Sequence, residues 1–196
     1  MENNIKYIKS SLNDEIAYCH DDIGSDISIF FFGGYSSNMT GTKASALSKW
    51  CLENKYNFTR FDYSGHGQSG GKFEDGGITK WSIEANEVFQ NFKNKKNIII
   101  GSSMGGWISL LVAKRNIETI HGLIGIASAP DFVVGEWNRL SEDQKDKIKK
   151  EGKIIINWDD YEDDYVITYK FLKDGMKNML LKDIIPITCP IRLLHG

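Results

Sequence analysis

Apolar positions fall along this chain in short dense runs, and stretches of helical spacing alternate with them. Ile5 to Ile8 and Glu15 to Cys19 predict two short strands around the polar turn Ser10 to Asp14. Asp26 to Phe32 is a nearly continuous apolar run closed by Gly33-Gly34, the pattern of a strand buried on both faces. Thr42 to Lys55 places Ala46, Leu47, Trp50 and Cys51 at helical spacing, and Asn57 to Tyr63 predicts a fourth strand leading into the glycine-rich loop Ser64 to Gly71. A helix follows over Thr79 to Lys93, anchored by Trp81, Val88, Phe89 and Phe92. Then come a strand at Asn97 to Ile100, a helix at Met104 to Arg115 and a buried strand at His121 to Ala127. This alternation predicts an α/β fold with a mostly parallel sheet and helices on both faces.

The rhythm breaks after Asp131. A charged helical stretch, Ser141 to Glu151, precedes an acidic-aromatic segment, Asn157 to Tyr165, and a second helical stretch, Val166 to Leu181. Ile191 to Leu194 resumes the sheet, with Pro186 and Pro190 marking its entry. The expectation is a single domain over residues 1–196 in which residues 131–183 form a cap insertion above the active site. The carboxylates of Asp159, Asp160, Glu162, Asp163 and Asp164 lack the spacing and glycine of a calcium loop, which predicts a solvated face and no metal.

Composition narrows the class. A 41% hydrophobic fraction in 196 residues is enough for a real core, and 26% charged residues is ordinary for a globular chain. A net charge of −2 gives no basic surface for nucleic acid. Cys19, Cys51 and Cys189 show no C-x-x-C spacing and read as free thiols in a reducing compartment. No apolar core follows Met1-Glu2-Asn3-Asn4, so a secretory signal is not expected, and no apolar run is long enough to cross a membrane. The expected address is cytoplasmic.

The chemistry concentrates at Gly101-Ser102-Ser103-Met104-Gly105, which lies between a β-branched strand and a helix-forming run. G-x-S-x-G in that context is a nucleophile elbow: a strained turn that lifts the serine hydroxyl to the edge of the sheet. Ser103 is therefore the candidate nucleophile. Phe32-Gly33-Gly34-Tyr35 leaves the third strand with two glycines, so that the amides of Tyr35 and Met104 are candidates for an oxyanion hole. Asp62 and Ser69, in the loop after the fourth strand, read as structural residues that bond loop amides. A serine nucleophile needs a histidine base and an orienting acid. His121 is expected at the far end of its strand and His20 on the surface. His66 and His195 lie at the correct edge but lack an orienting carboxylate at a suitable spacing. Asp131, after the sixth strand, is a candidate acid. Phe132, Val133, Trp137 and Phe171 are either walls of an acyl pocket or ordinary core.

Several stretches together resemble the α/β-hydrolase superfamily, and within it the palmitoyl-protein thioesterase and mycophenolic acid acyl-glucuronide esterase group. They are Gly34 to Met39, Arg60 to Gly65, Gly101 to Trp107, Leu123 to Ala127 and Thr188 to Gly196. The resemblance implies a serine esterase or thioesterase acting on a small acyl ester or thioester without a cofactor, with Ser103 as nucleophile and Tyr35 and Met104 as oxyanion donors. In that group a further strand, terminal helices, the acid and the histidine follow the Leu-Leu-His-Gly strand end. The expectation is thus a C-terminally truncated domain that holds the nucleophile without its base, either a hydrolase by ancestry or a silent remnant that binds a ligand or partner. An uncovered last strand predicts self-association through an exposed sheet edge.

Overall fold

The computed structural model describes residues 4–156 and 165–195. Among the described residues there are nine strands: β1 (Lys6–Lys9), β2 (Glu15–Asp21), β3 (Ile27–Phe32), β4 (Asn57–Phe61), β5 (Lys96–Ser102), β6 (Ile120–Ile126), β7 (Lys153–Ile156), β8 (Tyr165–Thr168) and β9 (Ile191–Leu194). Six α-helices join them: α1 (Thr42–Glu53), α2 (Ile78–Phe92), α3 (Met104–Arg115), α4 (Val133–Arg139), α5 (Glu142–Glu151) and α6 (Tyr169–Lys177). The main sheet has seven strands in the order β1-β2-β4-β3-β5-β6-β9. β1 and β2 run antiparallel, whereas β4, β3, β5, β6 and β9 are parallel.

The alternation of side chains along β3 divides the core. Phe30 and Phe32 face α2 and α3, in one cluster with Trp81, Phe89 and Trp107. Ile29 and Phe31 point the other way, to Ala44 and Cys51 of α1. A period of two therefore supplies both faces of the sheet, and all five residues of β4 are buried for the same reason.

Three details differ from the sequence expectations. The helix expected over Val166 to Leu181 begins only at Tyr169, because Val166, Ile167 and Thr168 pair antiparallel with Ile155, Ile154 and Lys153 in turn as a strand. The Thr168 hydroxyl accepts from Phe171 N and caps the helix. The hairpin partner β7 and the short helix α4 carried no distinct periodic signal and were not anticipated; four and seven residues are too few to show a period. α5 matches its expected span, with a capping box between Ser141 and Gln144 and Gly152 in the left-handed conformation at its end. The acidic-aromatic segment lies outside the described residues except for Tyr165.

β9 pairs with β6 on one side, and every residue of it is exposed. Beside it an apolar groove of ≈300 Å³ is lined by Leu110, Leu123, Leu181, Ile185, Ile191 and Leu193, of which Leu193 is 73% exposed. We propose that the chain self-associates through this edge, since unpaired strand edges and contiguous apolar surface favour association. Sedimentation velocity over a concentration series is expected to show oligomers. A monomer at every concentration would overturn this.

Candidate active site

β5 ends at Ser102 and α3 begins at Met104, so Ser103 is the single residue of the turn between them. Its backbone is at φ 52° and ψ −118°, a conformation that non-glycine residues adopt at a cost of about 1–3 kcal/mol. Hydrogen bonds on both sides hold it there: Ser103 N donates to Ile126 O (3.0 Å), and Ala129 N donates to Ser103 O (3.1 Å). The glycines around it are set by close approach. A Cβ on Gly105 would lie 2.1 Å from Phe32 O, and one on Gly101 would lie 2.4 Å from Gly105 O. The helix after the elbow thereby packs directly on the end of β3.

That packing brings the loop after β3 against Ser103. A Cβ on Gly34 would sit 3.4 Å from Ser103 Cβ. Gly34 O accepts from Ser37 N (3.3 Å) and Ser37 Oγ (2.8 Å). In a planar trans peptide the following N–H points opposite its carbonyl, so the Tyr35 amide is turned away from Ser37. The Tyr35 side chain leaves in another direction. Its hydroxyl donates to Val166 O (2.6 Å), its ring stacks on Tyr165 at 5.6 Å, and burial raises its pKa.

Ser103 opens onto two spaces. A cavity of ≈130 Å³ is lined by Tyr35, Ser103, Ala129, Phe132, Glu136, Tyr165, Ile167 and Phe171. A wider groove of ≈580 Å³ runs along Gly34, Ser37, Asn38, Thr42, Ile126 and Ala127. Of the pocket residues weighed from sequence, Phe132 and Phe171 line the cavity. Val133 is fully buried against Gly175, and Trp137 packs on Tyr169 beneath Lys145 and Lys149. Glu136 was missed. It sits on α4, a helix that the sequence pattern did not reveal, one turn below residues whose apolar character drew attention first.

None of the other titratable candidates lines either space. His121 is exposed at the start of β6, opposite the elbow, as expected, with Nδ1 3.0 Å from Thr119 O. His20 is half-buried rather than a free surface residue: Nδ1 lies 2.8 Å from Thr59 Oγ1, and the ring stacks on Phe92 because β2 packs against the end of α2. His195 follows β9, two strands from β5, and is exposed. Asp131 is buried, and its carboxylate accepts from Leu180 N and Leu181 N (2.8–3.1 Å), tying the chain after α6 to the end of β6. Asp62 accepts from Met39 N (2.6 Å) and Gln68 N (2.8 Å), while Ser69 Oγ donates to Asp62 O (2.6 Å).

His66 is 4% exposed and enclosed by Tyr63, Phe73 and Trp81, with Nδ1 3.3 Å from Ser64 O. Burial in this aromatic surround lowers its pKa from 6.5 to about 4. The unfolded chain binds this proton below about pH 6.5 and the folded chain only near pH 4, so stability falls as pH drops through that window. The loss at the acid end is about 3 kcal/mol. His66→Phe is expected to flatten the dependence of the urea midpoint on pH between those limits. An unchanged slope would show that His66 does not carry it.

A sequence profile of the family described as serine aminopeptidase, S33, matches residues 26–164, from β3 through the elbow. The chain belongs to this family of hydrolases. Its resemblance to the palmitoyl thioesterases is also borne out. The mitochondrial palmitoyl-protein thioesterase ABHD10 of Rattus norvegicus is 38% identical over 177 residues, covering 88% of this chain and 59% of the relative. The chain thus spans about three fifths of the length of that curated relative. A putative hydrolase from Agrobacterium vitis S4 superposes with a TM-score of 0.90 at 31% identity, over 97% of this chain and 77% of that one. The mouse α/β hydrolase domain-containing protein 10 gives a TM-score of 0.88 at 34% identity, over 98% and 77%. The fold is the α/β-hydrolase fold. The expected cytoplasmic address is overturned, because the ABHD10 relatives are mitochondrial proteins.

Proposed function

We propose that this family member carries the nucleophile and oxyanion hole of an acyl-ester or thioester hydrolase, with residues 131–183 as its cap. The observation that supports this most strongly is the strained Ser103 at the junction of a small, mostly apolar cavity and a wider groove. Ser103 Oγ attacks the acyl carbon. The amides of Tyr35 and of Met104, the latter an unpaired donor of the first turn of α3, receive the oxyanion. The bond to the alcohol or thiol then breaks, the serine proton passes through solvent to the leaving group, and water cleaves the acyl-serine to release the acid and restore the hydroxyl. The smaller, mostly apolar cavity suits the acyl unit, and the wider groove suits a larger leaving group. The name of the thioesterase relatives favours a thioester among the substrates.

A second reading is supported by the histidines: none of the four lines the space at Ser103, so this chain binds acyl compounds without appreciable turnover. One experiment tests the shared core of both. Long incubation with p-nitrophenyl acetate is expected to acetylate the peptide that contains Ser103, slowly and stoichiometrically, as read by mass spectrometry. Adducts spread over other residues, or unchanged labelling in Ser103→Ala, would refute the assignment of the nucleophile.

A further inference from the structure

Of the two amides proposed to receive the oxyanion, Met104 N belongs to α3, whereas Tyr35 N lies in the loop after β3. Tyr35 follows Gly33 and Gly34, the residues that restrict a backbone least, and precedes Ser36, which is in the left-handed region at φ 57°. No backbone hydrogen bond to Tyr35 N or O forms among the described residues. The far end of the loop is firmly held. Asp62 Oδ1 accepts from Met39 N (2.6 Å), and Arg60 Nη1 donates to Met39 O (3.1 Å). Between β3 and Met39, residue 35 is attached chiefly through its own side chain.

That side chain reaches into the segment proposed as the cap. The phenol donates to Val166 O of β8 at 2.6 Å. Burial raises its pKa, so the hydroxyl keeps its proton and remains a donor. The ring is enclosed by Phe73 and Trp81 on one side and by Phe132, Tyr165 and Phe171 of the cap segment on the other, with the nearest centroids at 4.9 Å. A side chain packed in this way has little rotamer freedom, so the place of β8 is transmitted to the backbone of residue 35.

We propose that the Tyr35 phenol is a positioning group that ties the oxyanion amide of the same residue to Val166, so that the β7–β8 hairpin sets the geometry of the oxyanion hole. This rests on the reading of Ser103 as nucleophile and of Tyr35 N as oxyanion donor. An oxyanion donor works only within a narrow distance of the developing charge, and losing one altogether costs about 10²–10³ in rate. Removing the phenol loosens the amide without deleting it, so a smaller part of that factor is lost. The loss falls on the transition state, because charge on the carbonyl oxygen develops only there.

The test is the rate at which p-nitrophenyl acetate transfers its acetyl group to Ser103 Oγ, releasing p-nitrophenolate and the serine proton to water. Mass spectrometry follows it on the 196-residue chain over a series of ester concentrations. In Tyr35→Phe the limiting rate is expected to fall about tenfold, while the half-saturating concentration changes less than about twofold, the pattern of an interaction made in the transition state. The ring remains in place, and urea midpoints verify that the variant is folded under the assay conditions. Ile155→Gly supplies the second arm. Ile155 is 65% exposed and faces Val166 in the hairpin register, so the change weakens the hairpin without opening the core. It should slow acetylation about threefold alone and have no further effect when combined with Tyr35→Phe, because coupled residues are not additive. An unchanged limiting rate in Tyr35→Phe, a change in half-saturation alone, or equal slowing by Ile155→Gly with and without the phenol would overturn the proposal and leave the nucleophile standing. If Ser103 of the unaltered protein takes no acetyl group, the hydrolase reading fails and the positioning role falls with it.

Discussion

Turnover of p-nitrophenyl acetate by the 196-residue chain is expected to be on the order of 10⁶ slower than that of a serine hydrolase with its base in place. A serine hydroxyl is a weak nucleophile until a hydrogen-bonded base removes its proton. Each histidine of this chain is accounted for elsewhere: His20 beside Thr59, His66 within its aromatic surround, His121 at the opposite end of the sheet and His195 beyond β9. Asp131, the candidate acid in the sequence, accepts from Leu180 N and Leu181 N. What remains is the proposed oxyanion hole and the cavity; in a stripped serine protease the oxyanion hole and binding still give roughly 10³–10⁴ over water. The measurement is the burst and steady-state rate of p-nitrophenol release, with Ser103→Ala as control and an ABHD10 thioesterase under the same conditions as reference. Ser103-dependent turnover close to that reference would mean that a base reaches the serine after all, and the binding-only reading would be abandoned.

Gly105→Ala is expected to lower stability by about 3 kcal/mol, the upper part of the range for overpacking a tight contact. The added methyl would meet Phe32 O at 2.1 Å and Gly33 O at 2.5 Å. Both atoms belong to backbone, and Phe32 is hydrogen-bonded into β3, so neither moves without disturbing the sheet. The matched control is Gly135→Ala in α4, where the new Cβ meets nothing within 4 Å. There the change should be neutral or stabilise by up to about 1 kcal/mol, because glycine inside a helix is unfavourable relative to alanine. Urea midpoints compared with the unaltered protein measure both. Equal effects at the two positions would show that the elbow glycine is not required by its contact with β3.

Most of the sheet could be read from the chain because its signals are local. Ile27 to Phe32 and Asn97 to Ile100 are mostly β-branched or aromatic runs of strand length, and their alternation with helices points to parallel pairing, whereas the register is seen only in the structure. The elbow was legible for the same reason: its glycines, its serine and its flanking strand and helix are contiguous. The region after Asp131 was less legible. β7 and β8 are four residues each, and whether Val166 to Thr168 extend into a strand or join the helix is decided by pairing with residues 153–155. Local propensity gives way to such tertiary pairing.

By itself the sequence pointed to a hydrolase of the α/β class, through the G-x-S-x-G stretch whose glycines let Ser103 sit on a strained turn, and it determined the family through stretches spread from β3 to β9. Only the tertiary structure decided which residues share a space with that serine. It joined Phe132 and Glu136 of one segment to Tyr35 of another and to Phe171 of a third, and it removed Val133, Trp137 and Asp131 to other duties. The physical reason is that an elbow is set by the sterics of adjacent residues, whereas a cavity is bounded by side chains whose proximity depends on how separate elements pack.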